Sequence, residues 1–213
     1  NLFGMIKFYT AARGRGVKPI IGCDVWIGDE IVGEKHEGPM RLLLLAKNHG
    51  GYLRLCELIS AAYLAPRRHG RAEISRLQLS HGDNSGLIAL SGGPLGDIGQ
   101  MLVAGKLDQA SVRAQAWAQM FPGAYYIEVQ RPSGRDGAAA DEVLVAASVD
   151  MAARLGLPVV ATHPIQFLQA DDYKAHEARI CIADGYVLGD TRRPKRYSPE
   201  QYFKTQDEMA ELF

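Results

Sequence analysis

Short apolar runs alternate with helical segments along most of this chain, and this alternation limits the folds that the chain can adopt. Five runs predict strands, near Ile21, Leu43, Ile88, Ile127 and Val160. Runs such as MRLLLLA are apolar at successive positions, as in strands that are covered on both faces. The alternation predicts an α/β fold with a parallel sheet, either closed into a barrel or open and doubly wound.

The segments between the strands have helical periodicity. The first, NLFGMIKFYTAARG, is apolar on one face, and Asn1 is a candidate cap for it. PRRHGRAE is predicted to be a basic loop, ISRLQL a short helix or turn, and LPVVA a buried strand. A long helix is expected to end at Gly156. The helix GYLRLCELISAAYL has a predicted buried side that comprises Leu53, Leu55, Cys56, Ile59, Ala62 and Tyr63.

The sequence changes character after Gly185, where no strand is predicted. We therefore divide the chain into a domain at residues 1–185 and an annex or linker at residues 186–213. Ser198-Pro199 resembles a helix start, and Thr205 with Glu208 forms a capping-box pattern. A solvated loop is expected for the basic run of Arg192, Arg193, Lys195 and Arg196. Because the chain begins on a helix and ends within one, we expect it to be part of a longer protein.

Charge and cysteine content argue against some classes of protein. Lys and Arg number 24, as do Asp and Glu, so the formal net charge is zero. A module that binds nucleic acid by itself is usually basic. Cys23, Cys56 and Cys181 are far apart, which fits a reduced cytoplasmic protein with buried thiols. No apolar run reaches the length of a membrane span, so no membrane contact is expected.

Ligands of either α/β architecture gather at the carboxyl ends of the strands. The residues expected there are Cys23-Asp24, Ala46-Lys47, Ser91-Gly92-Gly93, Glu128-Gln130 and Thr162-His163. Asp24 could bind a divalent cation or simply cap a loop. Glu128 is either a pocket residue or half of a buried pair with Arg131 or Arg179. The pair is favoured because buried acids are usually paired.

Other features also have both a structural and a functional interpretation. SGGPLGD, residues 91–97, could present backbone N–H groups to a phosphate, but it matches neither the P-loop nor the dinucleotide pattern. A plain tight turn is favoured. His163 could ligate a metal only with partners, and His176 is expected to be a hydrogen-bonded structural histidine. The residues alone therefore define an α/β domain without an established site.

Several stretches occur in an order that resembles a known domain. They are NLFGMIKFYTAARGRGVKPIIGCDV, LLLLAKNHGGYLRLCELIS, GLIALSGGPLGDIGQML, YYIEVQR, GLPVVATHPIQFL and AHEARICIADG. This order resembles the polymerase and histidinol phosphatase (PHP) domain at the amino terminus of the bacterial replicative DNA polymerase III alpha subunit. The tail RRPKRYSPEQYFKTQDEMAELF resembles the segment leading toward the palm of that polymerase. The resemblance covers essentially the whole chain.

The resemblance implies a distorted (β/α) barrel of parallel strands with outer helices. In full-length members two strands precede NLFG and carry ligands of a metal cluster, so we expect the N-terminal strands to be missing here. Where members with an intact site have an acid, a histidine and a cysteine, this chain has Asp24, Arg41 and Gly93. Arg41 is expected to replace a metal electrostatically and to pair with Asp24.

The last strand of such members ends in Asn-Asp-x-His, and this chain departs from that pattern as well. Pro164 takes the position of the Asp, Gln166 that of the ligand His, and His163 that of the Asn. Metal-assisted hydrolysis needs several anionic or imidazole ligands close together. We therefore expect no metal cluster, no cofactor and no phosphoesterase activity in this chain.

The implied role is a non-catalytic scaffold that stabilises the polymerase and docks its proofreading exonuclease subunit, epsilon. The remainder of the alpha subunit would be a further partner, and DNA would be contacted only through it. The parent chain would be a DNA-directed DNA polymerase whose Mg²⁺-dependent carboxylates lie in the palm, beyond Phe213. The alternative is a residual metal-dependent 3′–5′ exonuclease or pyrophosphatase that uses Asp24, His163 and ligands from preceding strands.

Overall fold

The protein is a mixed α/β chain whose described strands form one sheet. The computed structural model describes residues 2–28, 40–66, 70–134 and 139–213. The predicted cap at Asn1 and the middle of the basic loop PRRHGRAE lie outside these ranges. The strands are β1 (Gly22–Gly28), β2 (Met40–Ala46), β3 (Glu73–Ser75), β4 (Leu87–Leu90), β5 (Tyr125–Gln130) and β6 (Val159–Thr162).

The helices follow the strands in the alternation that the sequence predicts, which confirms the α/β class. They are α1 (Met5–Gly14), α2 (His49–Leu64), α3 (Arg76–Ser80), α4 (Asp97–Val103), α5 (Leu107–Met120), α6 (Ala139–Leu155), α7 (Tyr173–Asp184) and α8 (Gln206–Leu212). Short 3-10 turns lie at Gly93–Leu95 and Ala170–Asp172. The stretch ISRLQL covers the end of β3, which the sequence did not predict, and most of α3, which has a capping box at Ser75.

The described strands have the order β3-β1-β2-β4-β5-β6. β1 pairs with β3 and β4 with β5 in parallel, whereas β2 pairs with both β1 and β4 in antiparallel fashion. The prediction of a parallel sheet is therefore wrong at β2. The apolar sequence of β2 predicts a strand that is covered on both faces, but it does not predict whether the strand runs parallel or antiparallel to its neighbours.

The buried side of α2 differs from the predicted one. The helix buries Gly51, Leu55, Leu58 and Ala62, whereas 54% of Leu53 is exposed. A Cβ atom at Gly51 would lie 1.8 Å from the carbonyl oxygen of Gly86, so the helix meets that backbone directly through a glycine. The prediction is confirmed at Leu55 and Ala62 and wrong at Leu53 and Tyr63, and it left out Gly51 and Leu58.

β6 is the last strand in the sheet order, and the prediction that it is fully buried is wrong. Its burial alternates between exposed and intermediate, and 39% of Val159 is accessible. The Ile127 N–H donates to the carbonyl oxygen of Pro158 at 2.9 Å, just ahead of the strand. No strand follows β6 in the order of the described strands.

The chain divides into two compact units. The first comprises Asn1–Glu128 with Ser148–Val160, and the second comprises Val129–Ala147 with Ala161–Phe213. The predicted boundary after residue 185 stays a prediction. No helix in the described ranges is long and apolar enough to span a membrane.

The tail contains one predicted helix and one turn that was predicted as a helix start. Thr205 caps α8, and its capping box with Glu208 is confirmed. Ser198 instead opens a turn, because its hydroxyl donates to the Pro132 carbonyl and accepts from the Glu200 N–H. The prediction of a solvated basic loop is wrong for Arg193. Its side chain is only 15% exposed and forms an ion pair with the buried Glu177.

Candidate functional site

The reversed direction of β2 determines which side chains meet at the edge of the sheet. Arg41, near the start of β2, pairs in register with Trp26, near the end of β1. Ala46 pairs with Leu87 at the start of β4. The prediction that Ala46-Lys47 lies with the other strand ends is therefore wrong, and Arg41 lies at that edge instead.

Arg41 joins two carboxylates from neighbouring parts of the sheet. Its Nε lies 2.6 Å from Oδ1 of Asp24, and its Nη2 lies 3.8 Å from Oε1 of Glu128. The side chain of Asp24 is 57% exposed, whereas that of Glu128 is fully buried. We call these three residues the Arg41 cluster. The predicted pair of Arg41 with Asp24 is confirmed.

Glu128 forms a buried ion pair, as predicted, with Arg41. Arg131, one of the two arginines that the sequence suggested, pairs with Glu142 at 2.6 Å. Arg179 lies 3.3 Å from a ring nitrogen of His176. The backbone N–H of Glu128 also donates to the hydroxyl of Ser91, the residue that directly follows β4.

The donor atoms of the Arg41 cluster do not suit a metal ion. Two carboxylates are present, but a guanidinium that only donates hydrogen bonds lies against both of them. A cation there would meet the permanent charge of Arg41 at close range. In the ranges that the structure covers, no three His, Cys, Asp or Glu side chains come together as metal ligands.

The glycine turn SGGPLGD follows β4 and packs too closely for side chains. Gly92 has φ +84°, and a Cβ atom on it would lie 2.2 Å from the carbonyl oxygen of Arg41. A Cβ atom on Gly96 would lie 1.7 Å from the carbonyl oxygen of Ser91. Gly93 is buried and also has a positive φ of 56°. The interpretation as a tight turn is confirmed.

The other three predicted positions lie in the second unit, after β6. Pro164 accepts a hydrogen bond on its carbonyl oxygen from Nε2 of Gln201 at 3.0 Å, and the Gln166 N–H donates to the Gln201 carbonyl oxygen at 2.8 Å. Phe167 and Tyr202 form an isolated parallel bridge. Residues 163–167 are thus paired with residues 200–202, which the sequence placed in a linker.

His163 is held in this pairing by its ring. Its Nε2 lies 2.8 Å from the carbonyl oxygen of Glu200, so this nitrogen carries the proton that is donated. Burial lowers the pKa of His163 from its usual value, and the bond to Glu200 opposes that shift only in part. His163 is therefore a neutral imidazole at neutral pH.

Comparison with known proteins places the chain in a family. A family model described as the PHP domain matches residues 1–132. The chain belongs to the PHP domain family. This membership agrees with the predicted fold class.

Relatives of this PHP chain carry the name DNA polymerase III subunit alpha. Those from Neisseria meningitidis Z2491 and Pseudomonas aeruginosa PAO1 are 47% and 41% identical over 214 residues, and that from Escherichia coli K12 is 40% identical over 215 residues. Each alignment covers 100% of this chain but 18% of the relative. The chain thus spans 18% of the length of the curated relatives it matches.

The PHP chain has a second buried charge cluster, which the sequence interpretation missed. The carboxylate of Asp97 is 3% exposed and accepts from Arg76 at 2.7 Å and from the indole N–H of Trp117 at 2.9 Å. Arg113 lies 3.5 Å away, and the N–H of Ile98 donates at 2.8 Å. Asp97 is the last residue of SGGPLGD, and nothing local to the sequence shows its distant partners.

Aromatic rings enclose this second cluster. The Arg76 guanidinium lies 5.1 Å from the ring centroid of Trp117, and the ring of Trp117 stacks on that of Tyr125 at 6.5 Å. Burial, and next the charge of Asp97, raises the pKa of Tyr125 well above its usual value. The phenol therefore stays protonated, and the charge of the cluster is carried by Asp97 and its arginines.

Replacing Arg41 with methionine is expected to weaken the sheet edge of this PHP chain. The buried Glu128 would lose a charged partner, and leaving a buried group without its partner costs about 1–3 kcal/mol. The measurement is native-state hydrogen exchange of β2 and β4 amides. Arg192→Met is the matched control, because that arginine is 84% exposed, and it should leave those amides unchanged.

A double replacement tests whether the Arg41 effect arises from Glu128. Adding Glu128→Gln to Arg41→Met removes the carboxylate charge that faced Arg41, so the double variant should regain part of the lost protection. Strictly additive losses in the two single variants and the double variant would show that the two side chains do not interact.

Proposed function

We propose that this PHP domain is a non-catalytic scaffold within a replicative DNA polymerase. It stabilises the polymerase and provides a docking site for the proofreading exonuclease subunit, epsilon. The observation that carries the proposal is the position of Arg41, whose guanidinium lies against both Asp24 and the buried Glu128. A salt bridge at that edge supports a structural role for residues that would otherwise be free to bind metal.

The second unit supports the same proposal through different chemistry. Pro164 and Gln166 engage Gln201 through backbone atoms, and His163 uses its ring to hold the Glu200 carbonyl group. None of these contacts involves a carboxylate or a pair of imidazoles that would activate water. The residues after β6 therefore act as a packing surface for residues 200–202.

The whole protein, in this proposal, is the alpha subunit of a DNA polymerase III. The relatives at 40–47% identity carry that name. Primer extension would depend on Mg²⁺ bound by carboxylates in another part of the subunit, and DNA would be contacted through that part. The remainder of the subunit and epsilon would be its partners, and the cytoplasm its location.

Metal analysis of the protein at its full natural length tests the absence of a catalytic centre. We expect Zn²⁺ and Mn²⁺ far below one ion per chain after purification, and no hydrolysis of a phosphodiester or of pyrophosphate that depends on Asp24. Asp24→Ala should therefore behave like Asp108→Ala, a control at an exposed position on α5. Stoichiometric metal, lost together with hydrolysis in Asp24→Ala alone, would instead establish a phosphoesterase.

The docking role needs a separate measurement. Epsilon should co-purify with the full-length protein and should lose affinity when residues 1–213 are deleted, while primer extension without epsilon is followed as the control. Unchanged affinity of the deleted protein for epsilon would refute the docking role. Loss of primer extension would show that the domain stabilises the polymerase.

A further inference from the structure

The segment at residues 190–197 is attached to α7 by side chains. Arg193 forms an ion pair with Glu177, and Arg196 lies 3.1 Å from Oδ2 of Asp184. The hydroxyl of Tyr173 donates to the carbonyl oxygen of Tyr197 at 3.2 Å. We call this arrangement, residues 190–197 with the facing side of α7, the clasp.

His176 lies at the centre of the clasp. The residue is 6% exposed, and its ring contacts two aromatic rings. The centroid of Phe167 is 5.4 Å away, and the ring of Tyr197 meets the imidazole edge-on at 4.8 Å. Such ring contacts favour close, dry packing, so His176 connects the clasp segment to α7 as an aromatic residue would.

The contact with Arg179 determines the protonation state of the imidazole. Nη2 of Arg179 lies 3.3 Å from Nδ1 of His176. A guanidinium has only donors, so Nδ1 must accept and the ring must be neutral, with its proton on Nε2. This confirms the prediction of a hydrogen-bonded structural histidine, since the bond to Arg179 is the one that holds the ring.

The charged and titratable groups around His176 would do little to stabilise a second positive charge. On α7 these are Arg179, Glu177 and Tyr173, and from the clasp segment they are Arg193 and the phenol of Tyr197. Glu177 already pairs with Arg193. Burial lowers the pKa of His176, the charge of Arg179 lowers it further, and Glu177 opposes this.

We propose that the clasp is a pH-sensitive device, which is closed while His176 is neutral and is released when Nδ1 of His176 takes up a proton. Protonation would turn an acceptor that faces Arg179 into a donor, and it would place a second positive charge 3.3 Å from that guanidinium at a residue that is 6% exposed. Opening the clasp returns the imidazolium to water, where its charge is solvated.

The direction of the pH effect follows from the two states of the clasp. In the open state His176 titrates near its ordinary pKa of about 6.5, whereas in the closed state its pKa is lower. The open state therefore binds more protons, and the clasp is fully stable above that ordinary pKa. Its stability is lost as pH falls toward the lowered pKa, by at most about tenfold in the opening equilibrium for each pH unit.

Hydrogen exchange of the full-length protein between pH 8 and pH 5, corrected for the intrinsic pH dependence of exchange, tests the proposal. Protection of peptides from residues 190–197 should fall as His176 titrates, by at most about tenfold for each pH unit, while peptides from α5 should not change. His176→Phe keeps an aromatic ring without a titrating group, so its protection should not depend on pH. His49→Asn removes an exposed histidine at the start of α2 and should retain the wild-type pH dependence.

Two results would overturn the proposal that the clasp responds to pH. One is a wild-type protein whose residues 190–197 keep the same corrected protection down to pH 5. The other is a His176→Phe protein that loses protection over the same pH range as the wild type. Because the wild-type series alone can give the first result, the test does not depend on the variant being well folded.

Discussion

Replacing Asp97 with asparagine is expected to lower the free energy of opening of α4 and α5 by about 3–5 kcal/mol, the range for removing one partner of a buried ion pair. Arg76 would keep its charge at a side chain that is only 17% exposed, with no carboxylate at 2.7 Å to balance it. Asparagine is similar in size to aspartate, so the loss measures charge and not volume.

Native-state hydrogen exchange of α5 amides in the full-length protein is the direct measurement. Asp150→Asn is the matched control, because Asp150 is exposed on α6, and it should leave those amides unchanged. A second variant, Asp97→Asn with Arg76→Met, removes both charges and should recover part of the loss. A loss below about 1 kcal/mol in the single variant would contradict a buried, charge-balanced Asp97, given the size of such pairs.

The second large effect is expected for Gly92→Ala. Alanine at φ +84° costs about 1–2 kcal/mol of backbone strain, and its Cβ atom would lie 2.2 Å from the Arg41 carbonyl oxygen, which adds about 1–3 kcal/mol of overpacking. The added methyl group would push the start of β2 away from the turn. β2 and β4 amides should therefore lose protection together.

Gly105→Ala separates the two contributions. Gly105 has φ +72°, but nothing lies within 4 Å of a Cβ atom built on it, so only the strain of about 1–2 kcal/mol is expected there. The difference between the two alanine variants measures the close approach of Gly92 to Arg41. Equal losses in both would show that β2 yields freely and that the turn is not tightly packed.

Strand positions were accessible from the sequence because they depend on local periodicity. β2 illustrates the limit, since MRLLLLA is apolar in both directions and does not encode whether the strand runs parallel to its neighbours. The pair of Arg41 with Asp24 was predicted from the resemblance of this chain to the PHP domain. The second contact, with Glu128, was missed because it depends on the register of β2, β4 and β5.

Two other errors have the same physical origin. Arg193 was assigned to a solvated loop because neighbouring residues are basic, yet it pairs with Glu177, which lies on a helix 16 residues earlier. Gly51 was left out of the buried side of α2 because it has no side chain, yet its lack of a Cβ atom is what allows contact with Gly86. Long-range partners and backbone contacts carry no periodic signal.

The pairing of residues 163–167 with residues 200–202 has a consequence for how such a domain diverges. The bonds at Pro164 and Gln166 use a carbonyl oxygen and an N–H, and a proline is acceptable at residue 164 because its carbonyl oxygen alone is needed. Side chains at these two positions can be exchanged by mutation without breaking either bond. The side chains at these two positions can therefore change during evolution while the bonds to Gln201 are kept.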